Sequence, residues 1–248
     1  MIAGQRVLIV LPVRLGSTRL PKKAILNKTG KPLVVHAAEM AAKSKHVDRV
    51  VVAGDHDDIK QAVAPFGIQY INTSPHHTSG SSRCAEVMDT LAADIVVNVQ
   101  GDEPEVEPEH IDSVIEAMTD TEVRCSTLAC PLAPTQKNNP NVVKVAMACD
   151  GTAMYFSRSL IPYDRDSTGI NHWRHVGIYA YRPDALRQFC EWPQTPLEQA
   201  EQLEQLRLLE NGTPIRVVTH QVPSPSGVDT LEQYESFVER WRRDHPPC

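Results

Sequence analysis

The sequence predicts an α/β protein: a mostly parallel sheet flanked by helices, with a smaller β-rich insert in the second half of the chain. Three observations carry that expectation. Residues 7–11 (Val-Leu-Ile-Val-Leu) and 95–99 (Ile-Val-Val-Asn-Val) are near-continuous apolar runs, as strands buried on both faces require. Between them strand-like and helix-like segments take turns, the rhythm of parallel strands joined by right-handed crossovers. Later, Val143, Val145 and Met147 alternate with Lys144 and Ala146, so one face of the sheet is expected to be solvated there. The insert is placed at roughly 130–190, inside a single domain spanning 1–248.

In chain order, the first strand ends at Pro12 and runs into a basic loop. Pro32 suits the first position of a helix whose apolar side is Leu33, His36, Ala37 and Met40. A second strand at 47–53 follows, then a short helix carrying Ile59, Ala62, Val63 and Phe66, then a third strand at 68–71. After a polar loop, Cys84, Val87, Met88 and Leu91 share a helical face, with Ser81 or Ser82 as the N-cap. Pro108 opens a helix burying Ile111, Val114, Ile115 and Met118, and 125–129 is a strand. The prolines and asparagines of 131–140 exclude regular structure. Leu197, Ala200, Leu203, Leu206 and Leu209 predict one helix over 196–210, stopped at Asn211-Gly212. A last strand at 215–219 precedes a final amphipathic helix, with Asp229 or Thr230 at its start.

Composition narrows the function. The 248 residues are 41% hydrophobic and 23% charged, enough to bury a core, and the net charge of −6 argues against a nucleic-acid-binding module. No leader-like apolar region precedes the first strand, and no run approaches the ~20 residues of a membrane span, so a cytoplasmic protein without membrane insertion is expected. The six cysteines form no Cys-x-x-Cys pair and read mostly as small core residues, with Cys248 exposed at the terminus.

Against that acidic background the stretch 12–23 stands out. Arg14, Arg19, Lys22 and Lys23, with Gly16, Ser17 and Thr18 among them, follow a buried strand directly. Glycine lets backbone N–H groups approach an anion, hydroxyls add donors, and arginine offers a planar fork that matches phosphate. Ligands of open α/β sheets gather at the strands' carboxyl ends. The spacing is neither a Walker P-loop nor a dinucleotide fingerprint, so the loop is a phosphate-binding candidate of another kind. Gln100, Gly101, Asp102 and Glu103 end a strand on the same rim. A carboxylate facing phosphates needs a cation between them, and Mg²⁺ binds through one or two carboxylates plus phosphates.

Composition alone leaves the other polar stretches open. Residues 76–83 read as a loop and helix cap, since adjacent His76 and His77 make a poor metal site. Arg158 and Arg165, with His175, Tyr179 and Tyr181, suit a sugar carboxylate and hydroxyls, or equally a polar sheet face or a dimer contact. The acids of 196–210 suit a solvated face, and Asp229 suits a helix start.

Taken together, the motifs resemble the nucleotidyltransferases of acidic sugars. In that family Arg-x-Gly-Ser-x-Arg-Leu-Pro-x-Lys holds the triphosphate of CTP, and His-x-Ser-Gly-Thr-[Asp/Glu]-Arg lines the base pocket. Asn98-Val-Gln-Gly-Asp-Glu-Pro104, Tyr-Phe-Ser-Arg-x-x-Ile-Pro and Arg-His-x-Gly-Ile-Tyr are similar to motifs of the 3-deoxy-manno-octulosonate (Kdo) cytidylyltransferases, and six motifs fall in order between residue 7 and about 240. The resemblance implies a Rossmann-like (GT-A-like) nucleotidyltransferase fold and the reaction of CTP with Kdo to CMP-Kdo and pyrophosphate, for lipopolysaccharide assembly. It assigns nucleotide binding to Pro12, Arg14, Gly16, Ser17, Thr18, Arg19, Lys23, His77, Ser79, Gly80 and Arg83. It assigns Mg²⁺ to Asp102 and Asp229, and catalysis to these acids with Arg14 and Lys23. Sugar contacts fall to Gln100, Arg158, Arg165, His175, Tyr179, Glu204 and Gln205, and a homodimer is implied. Ser81 keeps the hydroxyl of the motif's Thr, whereas Ser82 replaces its acid, Lys22 a usual Gly and Ala24 a usual Pro. Two other readings stay open: a cytidylyltransferase for amino-Kdo or a sialic acid, and a non-catalytic nucleotide-binding relative. The retention of Asp102, Asp229 and the loop cations speaks against the latter.

Overall fold

The computed structural model describes residues 2–246 except Thr18 and Ser226; Thr18 of the basic loop and Cys248 therefore lie outside the described residues. The strands are β1 (Val7–Pro12), β2 (Arg49–Gly54), β3 (Gln69–Asn72), β4 (Ile95–Asn98), β5 (Cys125–Pro131), β6 (Lys144–Met147), β7 (Ala153–Ser157), β8 (Trp173–Tyr181) and β9 (Arg216–Thr219). They form one sheet in the order β3-β2-β1-β4-β8-β5-β9, with β6 joined to β8 and β7 to β6. The first four are mutually parallel. β8 then runs antiparallel between β4 and β5, and β9 returns parallel to β5.

Every residue of β1 and β4 is buried, which explains their unalternating sequences. Side chains leave a strand on opposite faces in turn, so each strand feeds two cores. Ile9 and Leu11 pack with Val34 and Val35 of α1 (Leu33–Ala41) and with Ile111 and Val114 of α4 (Pro108–Glu116). Leu8 and Val10 face α3 (Gly80–Met88) and α5 (Pro183–Glu191), through Cys84, Val87, Leu186 and Phe189. A third cluster seats the C-terminal helix α8 (Leu231–Asp244): Tyr234, Phe237 and Val238 pack on Leu33 and on Leu20 of the basic loop. The remaining helix of the first half, α2 (Asp57–Val63), covers β3.

Some expectations change. The helix expected over 196–210 is two helices, α6 (Pro196–Glu201) and α7 (Leu206–Glu210). Gln202 takes a left-handed conformation, φ 53°, that ends the first. Leu197 and Ala200 are exposed, whereas Leu203 and Leu206 are buried, so the leucine spacing runs on through a change of direction that periodicity does not reveal. Glu198 ties the pieces together, caps Thr195 and accepts from Arg207 Nε at 2.7 Å. The cap of α3 is Ser79, whose side chain accepts from the Ser82 amide, rather than Ser81 or Ser82. Lys144, expected on a solvated face, is fully buried; its ammonium donates to the carbonyls of Asn139 and Arg158 at 2.8 Å each, which replace its water. Cys84, Cys125 and Cys130 are buried and Cys190 partly so, but Cys149 is exposed. Within 130–190, β6 and β7 form a hairpin on the first residues of β8, while the end of β8 lies in the main sheet beside β4.

Candidate active site

The carboxyl ends of β1 and β4, with the loop leading into α3, enclose a cavity of about 310 Å³. The basic loop supplies Pro12, Arg14, Ser17, Arg19 and Lys23 to its wall. The turn after β4 supplies Gln100, Gly101 and Asp102, the approach to α3 supplies His77, Ser79, Gly80 and Arg83, and the start of α8 supplies Asp229. Gly16 lies in the basic loop without lining the cavity. Two glycines permit this convergence. A Cβ on Gly101 would stand 2.3 Å from Val13 Cγ1, and one on Gly80 would stand 3.0 Å from Pro12 Cγ. Lys22, in place of a usual Gly, holds φ 55° and is tethered through its ammonium to Asp58 at 3.0 Å.

The two acids come from distant segments and are stapled by backbone: Val228 N donates to Asp102 O at 2.8 Å, which sets Asp229 beside Asp102. Lys23 Nζ donates to Oδ2 of Asp102 and, at 2.8 Å, to Oδ1 of Asp229, and Arg19 meets Asp229 Oδ2 at 3.1 Å. Burial works to lower the pKa of Lys23, but the two carboxylates outweigh it and hold the pKa above its ordinary value. Among the described residues no cluster of three His, Cys, Asp or Glu side chains could hold a metal. Two carboxylates converging on one cationic atom at the basic loop nevertheless fit Mg²⁺, an ion that binds through one or two carboxylates and completes its shell with phosphate oxygens and water. Next to them Glu103 is half-buried, with its Oε2 atom enclosed and unpartnered. Burial first, then the charges of Asp102 and Asp229, raise its pKa to about 8 against the opposing pull of Arg174.

On the α3 side, the His77 ring is held at both nitrogens, Nδ1 by Ser82 Oγ at 3.0 Å and Nε2 by a short contact with Glu86 Oε2. Glu86 thus places an acid one helical turn beyond the position where Ser82 lacks it. Arg83 is buried and donates to Asp55 Oδ2 at 3.1 Å, while Asp55 Oδ1 accepts from Leu15 N at 3.2 Å. Asp55 therefore braces the basic loop against the first turn of α3. Sequence reasoning missed Glu86 and Asp55, although Asp55 directly follows β2 on the same rim and that position could have drawn attention to it.

Of the expected sugar contacts, only Gln100 lines the cavity. Behind it the protein is polar and mostly enclosed. Gln100 Nε2 donates to Asn98 Oδ1 at 3.3 Å, Asn98 is the cross-strand partner of Tyr179, and the Tyr179 ring lies 5.4 Å from that of His175. Ser81 Oγ donates to Glu204 Oε1 at 2.8 Å. Asn98 Nδ2, Tyr179 Oη, Glu204 Oε2 and Gln205 Nε2 are buried without a well-formed hydrogen bond in the protein. The Thr127 hydroxyl beside Tyr179 is engaged with His175 Nε2 and with the carbonyls of Val176 and Ile178. Burial raises the pKa of Glu204, opposed by the hydroxyl of Ser81. Burial, then Arg174, lowers that of His175 to about 3, so the ring is neutral. Arg158 and Arg165 are not brought to the cavity. The Arg158 guanidinium donates to the carbonyls of Glu201, Pro140 and Gln202, and Arg165 is exposed in the connection between β7 and β8.

A basic loop at the first strand of a mixed sheet, parallel in its first four strands and antiparallel around β8 rather than mostly parallel throughout, faces two carboxylates and defines a nucleotidyltransferase-like α/β protein. The profile of the cytidylyltransferase family matches residues 8–217, and this chain belongs to that family. A relative from Chlorobium phaeobacteroides, named 3-deoxy-manno-octulosonate cytidylyltransferase, is 46% identical over 97% of this chain and 99% of its own length. Another of that name, from Koribacter versatilis, is 43% identical over 91% of this chain and 86% of its own. The solved structure of a CMP:2-keto-3-deoxy-manno-octonic acid synthetase complexed with CTP superimposes with a TM-score of 0.92 at 39% identity, over 96% of this chain and 99% of that one.

Proposed function

We propose that this protein is a cytidylyltransferase that joins CTP to Kdo, giving CMP-Kdo and pyrophosphate for lipopolysaccharide biosynthesis. The observation that carries the reading is the adjacency of two unlike surfaces. A cationic loop faces the paired acids Asp102 and Asp229, and beside it lies a set of buried polar atoms without a well-formed hydrogen bond in the protein. The first suits a triphosphate; the second suits the hydroxyls of a sugar, because a desolvated polar atom gains most from the ligand that completes it.

In this reading Arg14, Arg19 and Lys23 take the charge of the triphosphate, and His77, Ser79, Gly80 and Arg83 shape the base pocket. Arg83 acts there through Asp55 as well, which fixes the loop. Gln100, Asn98, Tyr179, Glu204 and Gln205 orient the sugar acid so that its anomeric hydroxyl lies in line with the departing pyrophosphate. Positioning and charge neutralisation then supply most of the catalysis. Asp102 and Asp229 would hold Mg²⁺, which when bound neutralises phosphate charge and lowers the pKa of the attacking hydroxyl. The family resemblance supports a cytoplasmic homodimer, with 130–190 contributing to sugar binding and dimer contact. No helix among the described residues is long and apolar enough to cross a membrane.

Pyrophosphate release across CTP, UTP, ATP and GTP, with Kdo or a sialic acid as acceptor, tests the reading. Release is expected with CTP and Kdo alone. Equal turnover of UTP would show that Ser82 has relaxed base choice, and turnover only of the sialic acid would transfer the assignment to that substrate.

A further inference from the structure

Lys23 stands where a divalent cation held by Asp102 and Asp229 would stand. Its Nζ is bonded to one oxygen of each acid, and it is the better enclosed of the two cations there, 15% exposed against 66% for Arg19. A Mg²⁺ ion bound to those oxygens at about 2.1 Å takes the space of the ammonium, and two adjacent cations repel one another. The lysine and the ion therefore exclude each other. Lys23 begins a single 3₁₀ turn, Lys23–Ile25, preceded by Lys22, whose side chain is tied to Asp58. The backbone is anchored, while the four-carbon stem carries a point charge that can be re-aimed. Lys23 lines the same cavity as Arg14 and Ser17, so the phosphate side lies within the swing of that stem.

We propose that Lys23 is a displaceable counter-ion. It holds Asp102 and Asp229 together until a divalent cation takes its place, and the displaced ammonium passes to the nucleotide's phosphates. Metal and nucleotide then bind cooperatively, and metal alone binds weakly. This rests on the reading of Asp102 and Asp229 as metal ligands and gives Lys23 a task beyond contacting the triphosphate.

The test is Mn²⁺ affinity in the absence of nucleotide, read from the electron paramagnetic resonance signal of the free ion, for the unaltered protein, Lys23→Met, Lys23→Arg and Asp102→Asn. Lys23→Met is expected to bind Mn²⁺ about tenfold more tightly or better, within the ordinary range of coupling between sites. Lys23→Arg, which keeps the charge, stays near the unaltered protein, and Asp102→Asn binds more weakly. Equal affinity in the unaltered protein and Lys23→Met overturns the proposal, while a loss in Asp102→Asn leaves the metal reading standing. Affinity untouched by Asp102→Asn contradicts both. Lys23→Gln replaces Lys23→Met if the latter shows no cooperative melt.

Discussion

The two halves of the sheet build their shares of the site in different ways. In the parallel half, β1, β2, β3 and β4 all point the same way, so their following loops meet on one rim. That rim carries Arg14, His77, Arg83 and Asp102 on the cavity wall, with Asp55 behind Arg83. In the antiparallel half, Tyr179 and His175 come from β8, and Glu204 and Gln205 from the break between α6 and α7; Tyr179 and Gln205 are buried and His175 and Glu204 half-buried. A polyanion can be met by charges on the loops that follow strand ends. A hydroxyl-bearing ligand is selected by desolvated polar atoms, which need a rigid frame around them.

Disabling the acids of the first half should have the largest effect. Asp102→Asn is expected to lower pyrophosphate release about 10³-fold, the order of a few kcal/mol of lost charge stabilisation, with a thermal midpoint close to the unaltered protein. Activity within tenfold of normal would remove Asp102 from the chemistry. A smaller but structural effect is expected where the rim is braced. Arg83→Leu leaves the Asp55 carboxylate, only 14% exposed, without its guanidinium. Breaking a buried pair in this way should cost about 3 kcal/mol in denaturant unfolding.

The smallest expected effect separates the halves by pH. His36, beneath α8, has its pKa lowered to about 4 by burial and then by Lys31, and His175 has its pKa lowered to about 3. Both lie below the unfolded value of 6.5, so the unfolded chain binds more protons as pH falls. Their contribution is complete above pH 6.5 and is lost as pH drops towards 4 and 3 respectively. Thermal midpoints should fall across that window, less steeply in His175→Gln. An unchanged slope would mean that His175 is not held neutral.

This contrast also governs what the sequence reveals. The parallel half is legible because its strands are pure apolar runs and its functional residues sit within a few positions of their ends, as with Arg14 after β1 and Asp102 after β4. Asp229 is different: the hydrogen bond from its neighbour's amide to the Asp102 carbonyl spans about half of the chain, and composition shows only a helix start, so the family resemblance alone singled it out. In the antiparallel half the same holds more broadly. Glu204 looks like one acid on a continuous helix because the leucine spacing stays in phase across Gln202. Arg158 looks like an anion-binding residue, yet three carbonyls gathered by folding claim its guanidinium. Enclosure of Glu204 Oε2 and engagement of Arg158 are tertiary outcomes that local pattern does not encode.

The central claim is that the parallel half meets the nucleotide and the antiparallel half the sugar acid. The most direct measurement is the Michaelis constant for each substrate in Arg14→Ala and Tyr179→Phe. Arg14→Ala should raise the CTP constant about tenfold or more and leave that for Kdo unchanged, as expected for loss of a charge-assisted hydrogen bond. Tyr179→Phe should raise the Kdo constant about tenfold and leave that for CTP unchanged, the effect of one neutral hydrogen bond. If the two constants move together in both variants, or the effects are exchanged, the division of labour between the halves is wrong.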